Sequence, residues 1–373
     1  MSGTSLDGID VAVIDIAGRA PRKRISVVAL HHVPYSRSVR TAVLAVTNTV
    51  AHIANVSRLH TLLGELYAEA VRAACELSGI PLSSLDLVGC HGQTVFHDGA
   101  GRRFLGRRVA TTLQIGDGAV LAERTGRPVV SDFRTRDIAA GGAGAPLVPY
   151  FDYFVYRDSR VGRVALIIGG IANITSIPPA AAPESVLAFD TGPRNMVIDA
   201  LVQACPGGKL CCDRGGRLAA RGSVNEPLLK VLLRDPYFRR KPPKTAGREQ
   251  FGAEFVSRVR QAGLPVEDLV STVTALTGAS VAAAIDRFVR PAMPVDEVIA
   301  SGGGVHNPGI MAYLAAFLPN TRIRLSSDFG IDVDGKEAIA FAALAYETWR
   351  RRPANIPSAT GAAHPVVLGK ISP

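Results

Sequence analysis

Several strings in this sequence combine bare backbone with side chains that can do chemistry. The first is Gly3-Thr4-Ser5-Leu6-Asp7-Gly8-Ile9-Asp10. Small residues let a backbone approach phosphate closely, and successive N–H groups form an anion nest. Thr4 and Ser5 add hydroxyl donors. Asp7 and Asp10 can orient hydrated Mg²⁺, which keeps several waters and takes one or two carboxylates. The string is neither GxxxxGK[ST] nor GxGxxG, and an ordinary hairpin turn has the same composition. The second string, Ile168-Gly169-Gly170-Ile171-Ala172-Asn173-Ile174-Thr175, can hold phosphate in the same way or serve as a strand turn. The third is Ser301-Gly302-Gly303-Gly304-Val305-His306-Asn307-Pro308. Its glycines strip the side chains from a short surface, which suits an adenine or ribose face, or a phosphate at a helix N-terminus. Asn307 as N-cap with Pro308 behind it predicts a helix start.

A second group carries titratable side chains. In Phe189-Asp190-Thr191-Gly192-Pro193 the carboxylate follows an apolar strand, where it can act as a general base or cap the helix beginning near Asn195. Cys90-His91-Gly92-Gln93-Thr94 lies at another strand end, followed by Ile115-Gly116-Asp117 and Asp132-Phe133-Arg134-Thr135-Arg136-Asp137. Their many hydrogen-bonding groups suit a hydroxylated ligand. A half-buried, satisfied histidine and a self-neutralising surface loop are the plainer readings. In Gly335-Lys336-Glu337-Ala338-Ile339-Ala340-Phe341, Glu337 suits the first turn of a helix, where the dipole favours an acid. Contact with a ligand is the sharper reading.

These groups need a frame to hold them. Apolar runs at 9–16, 85–90, 128–131, 164–168, 186–189 and 298–300 predict buried strands. Helical patterns lie at 58–77, 118–125, 195–203, 227–233, 269–289, 308–317 and 336–349. Their alternation predicts an α/β fold. The glycine turns near residues 3 and 169 form a weak internal repeat, which predicts two similar lobes with a cleft between them. After residue 354 the chain is rich in Pro, Gly, Ser and Ala and predicts a tail laid over the surface.

Composition removes other classes. The chain has 373 residues, 47% hydrophobic and 20% charged, enough to bury a large core and to exclude disorder throughout. No uninterrupted apolar run approaches the roughly 18 residues of a membrane span, and the acidic start MSGTSLDGID has no basic signal region. The net charge is +10, almost all arginine, with clusters at Arg102/Arg103/Arg107/Arg108, Arg239/Arg240/Lys241/Lys244 and 350–352. Aromatics are only 6%, so these clusters read as solvated faces rather than a nucleic-acid surface. Five cysteines without a CxxC pair argue against disulfides or a zinc ribbon and for a cytoplasmic protein with mostly buried thiols.

The narrower strings carry a family resemblance. GTSLDGID, HGQTVFHD, TLQIGD, DFRTRDIAAGG, GAPLVP, IGGIANIT, FDTGP, DPYF, PPKTAGRE, SGGGVHNP, KEAIAFA and PVVLGKI resemble, in order, the anhydro-N-acetylmuramic acid kinases. The resemblance implies two actin/hexokinase-like lobes, at 1–158 with 351–373 packing back, and at 159–350. It implies use of ATP and Mg²⁺ to open a 1,6-anhydro amino sugar with water and phosphorylate O6, in peptidoglycan recycling. A simpler anhydro sugar such as levoglucosan, or a non-catalytic nucleotide-binding role, is the alternative. By the likeness, Gly3, Thr4, Ser5, Leu6, Asp7, Gly8, Ile9 and Asp10 hold ATP with Gly169, Gly170, Gly302, Gly303 and Gly304. Asp190 activates the water, and His91, Thr94, Arg134 and Glu337 line the sugar. No nucleic-acid or membrane partner is implied, and a homodimer is.

Three departures stand out. The family carries a strand ahead of MSGTS, so an apolar strand is expected upstream of Met1. The family's FDTGPGN reads FDTGPRN here, placing Arg194 at a glycine position. If φ there is positive, arginine costs about 1–2 kcal/mol, and it is expected to bring a cation beside Asp190. GGQGAP reads GGAGAP, so Ala143 replaces a side-chain amide.

Overall fold

The computed structural model describes residues 1–3, 6–18, 24–204 and 212–373. The first strands are β1 (Gly8–Ala17), β2 (Arg24–Pro34), β3 (Val88–Gly89), β4 (Gln93–Phe104), β5 (Arg107–Ile115) and β6 (Val129–Ser131). They are followed by β7 (Arg163–Ile168), β8 (Ile171–Ile177), β9 (Leu187–Pro193), β10 (Glu297–Ser301), β11 (Arg322–Leu325) and β12 (Lys370–Ser372). Helices intervene, giving the expected α/β fold. Two compact units emerge: Met1–Phe151 with Gly335–Pro373, and Asp152–Asp334. The helix Lys336–Trp349, placed by sequence at the end of the second lobe, packs in the first unit against β1, β3 and β6.

The first unit holds the antiparallel ribbon β1-β2, the hairpin β4-β5 and a small sheet ordered β12-β6-β3. The helix Ile53–Leu77 buries Leu59, Leu63 and Tyr67 with Ile9, Ile115 and Leu121. A second cluster joins Val130, Phe133, Phe341, Leu344 and Leu368. The C-terminal stretch is therefore core rather than a surface tail. Ala354, Ile356 and Leu368 are buried, and β12 pairs antiparallel with β6.

The second unit is built on a five-stranded sheet ordered β11-β10-β7-β8-β9, with β10 parallel to both neighbours and β8 antiparallel to both of its own. After Arg163 the run VALII of β7 is apolar and buried because the strand is central and covered on both faces. The helix Val266–Ala284 packs beside this sheet. The stretch Val266–Val289 is long and apolar enough to cross a membrane, but 89% of its apolar window is buried within the protein. Its hydroxyls are hidden internally: Thr272, Thr274 and Thr277 donate to the carbonyls of Asp268, Val270 and Val273. A helix apolar on all sides can sit in a core on these terms.

Of the basic clusters, Arg102, Arg103, Arg107 and Arg108 are exposed on the β4-β5 hairpin. Lys244 departs from the solvated reading, being only 3% exposed. Cys75 and Cys90 are buried free thiols and Cys212 is half-buried, while Cys205 and Cys211 lie outside the described residues.

Candidate functional site

In the first unit, Cys90, His91 and Gly92 make a corner between β3 and β4. Gly92 has φ +76°, and a Cβ there would lie 2.8 Å from the Ile115 carbonyl oxygen, so the corner demands glycine. His91 is buried, with Nδ1 2.8 Å from the Gly92 carbonyl oxygen and Nε2 3.0 Å from Arg134 Nε. A carbonyl only accepts and a guanidinium only donates, so Nδ1 carries the proton and Nε2 accepts. Burial, then the Arg134 charge, hold the imidazole well below its usual pKa, and it stays neutral.

Arg134 also donates from Nη1 to the Gly144 carbonyl at 2.9 Å and lies over the Phe341 ring. Burial lowers its pKa to about 10 against the opposing Glu337 and Asp137 carboxylates, so it remains charged. Asp137 organises this loop. It is fully buried, accepting from Gly144 N–H at 2.8 Å, Asn355 Nδ2 at 2.7 Å and Thr360 Oγ1 at 2.8 Å. The string at 132–137 is thus a buried anchor at Asp137, not a self-neutralising surface loop. Glu337 stands exposed in the first turn of Lys336–Trp349. Thr94 Oγ1 accepts from Gln114 Nε2 at 3.3 Å, while the buried Gln114 Oε1 has no partner. Both His91 nitrogens are taken, as in the plainer reading of a satisfied histidine, so the ring positions Arg134, and the charged arginine and the orphan amide oxygen are the groups that suit ligand carbonyls and hydroxyls.

The first glycine string enters β1. Leu6 and Ile9 are buried in the core, so only their backbones face outward chemistry. Gln93 Nε2 holds the Gly3 carbonyl at 3.2 Å, and Asp10 Oδ1 pairs with His32 Nδ1 at 2.7 Å. Gly8 is buried against β2, and Asp7 is exposed. Thr4 and Ser5 lie outside the described residues.

In the second unit, Asp190 sits within β9 and not in a turn beyond it. Asn173 faces Asp190 and Ala172 faces Gly192, so Thr191 is an extra residue. Such a bulge re-aims the side chain beside it. Asp190 Oδ2 accepts the Ala246 N–H at 2.7 Å, its N–H bonds the Lys244 carbonyl, and its carbonyl accepts from Tyr237 at 2.8 Å. Burial raises the carboxyl to about 7. The Ala246 bond and Lys244 oppose the rise, and Glu249 adds to it. Asp190 does not cap the helix Asn195–Gln203; Arg194 occupies that position without a side-chain cap bond. Lys244 lies over the Tyr237, Phe288 and Phe189 rings.

Gly169 and Gly170 separate β7 from β8, and Gly302–304 follow β10 in the same sheet. Gly303 is exposed with no atom within 4 Å of where a Cβ would stand. Asn307 caps the helix Pro308–Phe317 as expected, accepting from Gly309 and Ile310 N–H groups. Arg194 has φ −151°, outside the left-handed region, so the strain expectation fails. The cation acting on Asp190 is Lys244, not Arg194.

The sequence profile of the anhydro-N-acetylmuramic acid kinases matches residues 1–373. This chain belongs to that family. The anhydro-N-acetylmuramic acid kinase of Caldanaerobacter subterraneus is 45% identical over 380 residues, covering 100% of this chain and 95% of that protein. Those of Gloeobacter violaceus and Salinibacter ruber are 44% and 43% identical, covering all of this chain and 97% and 94% of theirs. Against the family strings, Gln114 and Tyr237 are residues to which sequence alone assigns no role, while sequence reads Gln93 and Asp137 only among hydrogen-bonding groups and Lys244 only as a solvated cation. Each lies inside a quoted string, which was the available signal.

Proposed function

We propose that the chain is an ATP-dependent kinase that opens the 1,6-anhydro ring of anhydro-N-acetylmuramic acid with water and phosphorylates O6. The product is N-acetylmuramic acid 6-phosphate. The observation that carries the mechanism is Asp190: a carboxylate with its pKa near 7, fixed by the Ala246 N–H, is tuned for general-base work at neutral pH. Asp190 takes a proton from water as the water oxygen bonds to C1. The C1–O6 bond breaks, O6 bonds to the γ-phosphorus, and the bond to the β-phosphate oxygen breaks to release ADP. O6 leaves as the phosphoryl acceptor, so no separate acid is required.

The nucleotide set is Gly3–Asp10 with Gly169, Gly170 and Gly302–304. Two observations fit a nucleotide: the bare surface at Gly303, and two unpartnered nitrogens of buried Arg194 nearby. Mg²⁺ would take Asp10 as one carboxylate and neutralise phosphate charge when bound. Among the described residues no group of three or more His, Cys, Asp or Glu is placed to hold a metal. His91, Thr94, Arg134 and Glu337 are the proposed sugar set, with Gln114 added. Full-length family membership favours the amino sugar over levoglucosan, and the need for ATP fits a cytoplasmic reaction. The resemblance also implies a homodimer, which light scattering measures.

The test follows ATP consumption with anhydro-N-acetylmuramic acid, with levoglucosan and with no sugar, in H₂¹⁸O. The label is expected at C1 and absent from phosphate. ATP loss independent of sugar, or label in phosphate, overturns the proposal.

A further inference from the structure

Arg194 is the largest fully buried side chain among the described residues, at 0% exposure. Its Nε donates to Asn195 Oδ1 at 3.1 Å. Nη1 and Nη2, with their N–H donors, have no partner. None of the ion pairs of the described residues includes it. Asp199, one turn along the helix Asn195–Gln203, attracts it from beyond ion-pair range and is itself half-buried, with burial raising its carboxyl to about 6. A buried guanidinium without an anion is among the costliest groups a fold can hold.

Its position shows what is missing. The guanidinium lies against Gly304 and Ile168: a Cβ on Gly304 would strike Nη1 and Cζ. One residue before, Gly303 is exposed and bare. Arg194 also starts the helix Asn195–Gln203 without capping it, and the Met196 N–H points to the Gly170 carbonyl at 3.4 Å. An uncapped helix N-terminus and an unpaired buried cation therefore sit together under the Gly302–304 turn. Both favour negative charge. In a dry interior the attraction is screened far less than at a surface.

We propose that Arg194 is a phosphate-selecting residue of the nucleotide site, its unpaired guanidinium completed by a phosphate of the bound nucleoside triphosphate at the Gly302–304 turn. This rests on the ATP reading above and adds a residue that the family resemblance leaves as glycine. Arginine suits the role because its planar fork can give two parallel N–H bonds to one phosphate.

Calorimetry on the full chain tests it with ATP, ADP, adenosine and inorganic tripolyphosphate. The variants are Arg194→Met, which keeps the volume, and Arg194→Gly, which restores the family residue and so keeps a folded protein in hand. Both are expected to weaken ATP and tripolyphosphate by about tenfold or more, the scale of a lost charged hydrogen bond. Adenosine should change less than about twofold. ATP affinity unchanged in Arg194→Gly, or ATP and adenosine weakened equally, overturns the proposal while leaving the kinase reading intact. Parent protein that binds neither ATP nor adenosine overturns both.

Discussion

Replacing Asp190 by asparagine should abolish turnover and, at alkaline pH, make the protein more stable. The carboxyl rises from 3.8 to about 7 on folding, chiefly because burial disfavours its charge. The folded state therefore holds its proton more tightly than the unfolded chain. Stability falls as pH rises from about 4 to 7 and is level above that. A shift of about 3 units at 1.36 kcal/mol each gives a cost of about 4 kcal/mol above pH 8 and about 2 kcal/mol at pH 5. Asparagine keeps an acceptor for the Ala246 N–H but never ionises, so it escapes this cost. The measurement is urea unfolding of parent and Asp190→Asn at pH 5 and pH 8, alongside ATP consumption with the sugar. The variant's advantage should grow by about 2–3 kcal/mol between those pH values. A difference that stays flat with pH would show that Asp190 ionises without penalty, and the argument for its tuned basicity would fall. Near-normal turnover in the variant would remove it from the chemistry.

Three further outcomes are expected. In parent protein kcat/KM should fall about tenfold per pH unit below about 7, the carboxyl being active when ionised; a flat profile from pH 5 to 8 contradicts this. Asp137→Ala should lose about 3–5 kcal/mol of stability by stranding the buried donors of Gly144, Asn355 and Thr360, and a melting curve unchanged by the substitution refutes that anchor. Gly304→Ala should destabilise by about 1–3 kcal/mol through collision with the Arg194 guanidinium and Ile168 Cγ2, and Arg194→Gly in the same chain should recover part of the loss; fully additive losses would show that the alanine and the arginine do not touch.

Much of the frame was legible because periodicity and glycine punctuation report it directly. The predicted strands at 9–16, 128–131, 164–168 and 298–300 fall on β1, β6, β7 and β10, and the helix at 118–125 has the bounds expected. The β4-β5 hairpin escaped because its two-residue turn is Leu105-Gly106, both with positive φ, where asparagine or aspartate before glycine is the usual signal. The C-terminal segment looked like a surface tail because small residues and prolines mimic a linker, and only pairing with β6 reveals its place. Asp190 was visible as a carboxylate in its string, but its partner Ala246 lies 56 residues on. Long-range partners leave no periodic trace, so the cause of a raised pKa was unreadable. Arg194 looked like a strained cation beside Asp190; no local pattern announces that its guanidinium is buried under Gly304 instead.

The three bonds to Asp137 also set an order of assembly during synthesis. Gly144 is made early, but Asn355 and Thr360 leave the ribosome more than 200 residues after Asp137. Until then that carboxylate has only the Gly144 N–H of its three partners to close on, and β6 lacks its β12 neighbour. The sheet of the second unit is complete in strands by Leu325. A growing chain thus holds every strand of its second unit while its first still waits for its last segment. Nascent chains stalled before residue 355 should expose the 132–147 loop to proteases, whereas a full-length chain protects it.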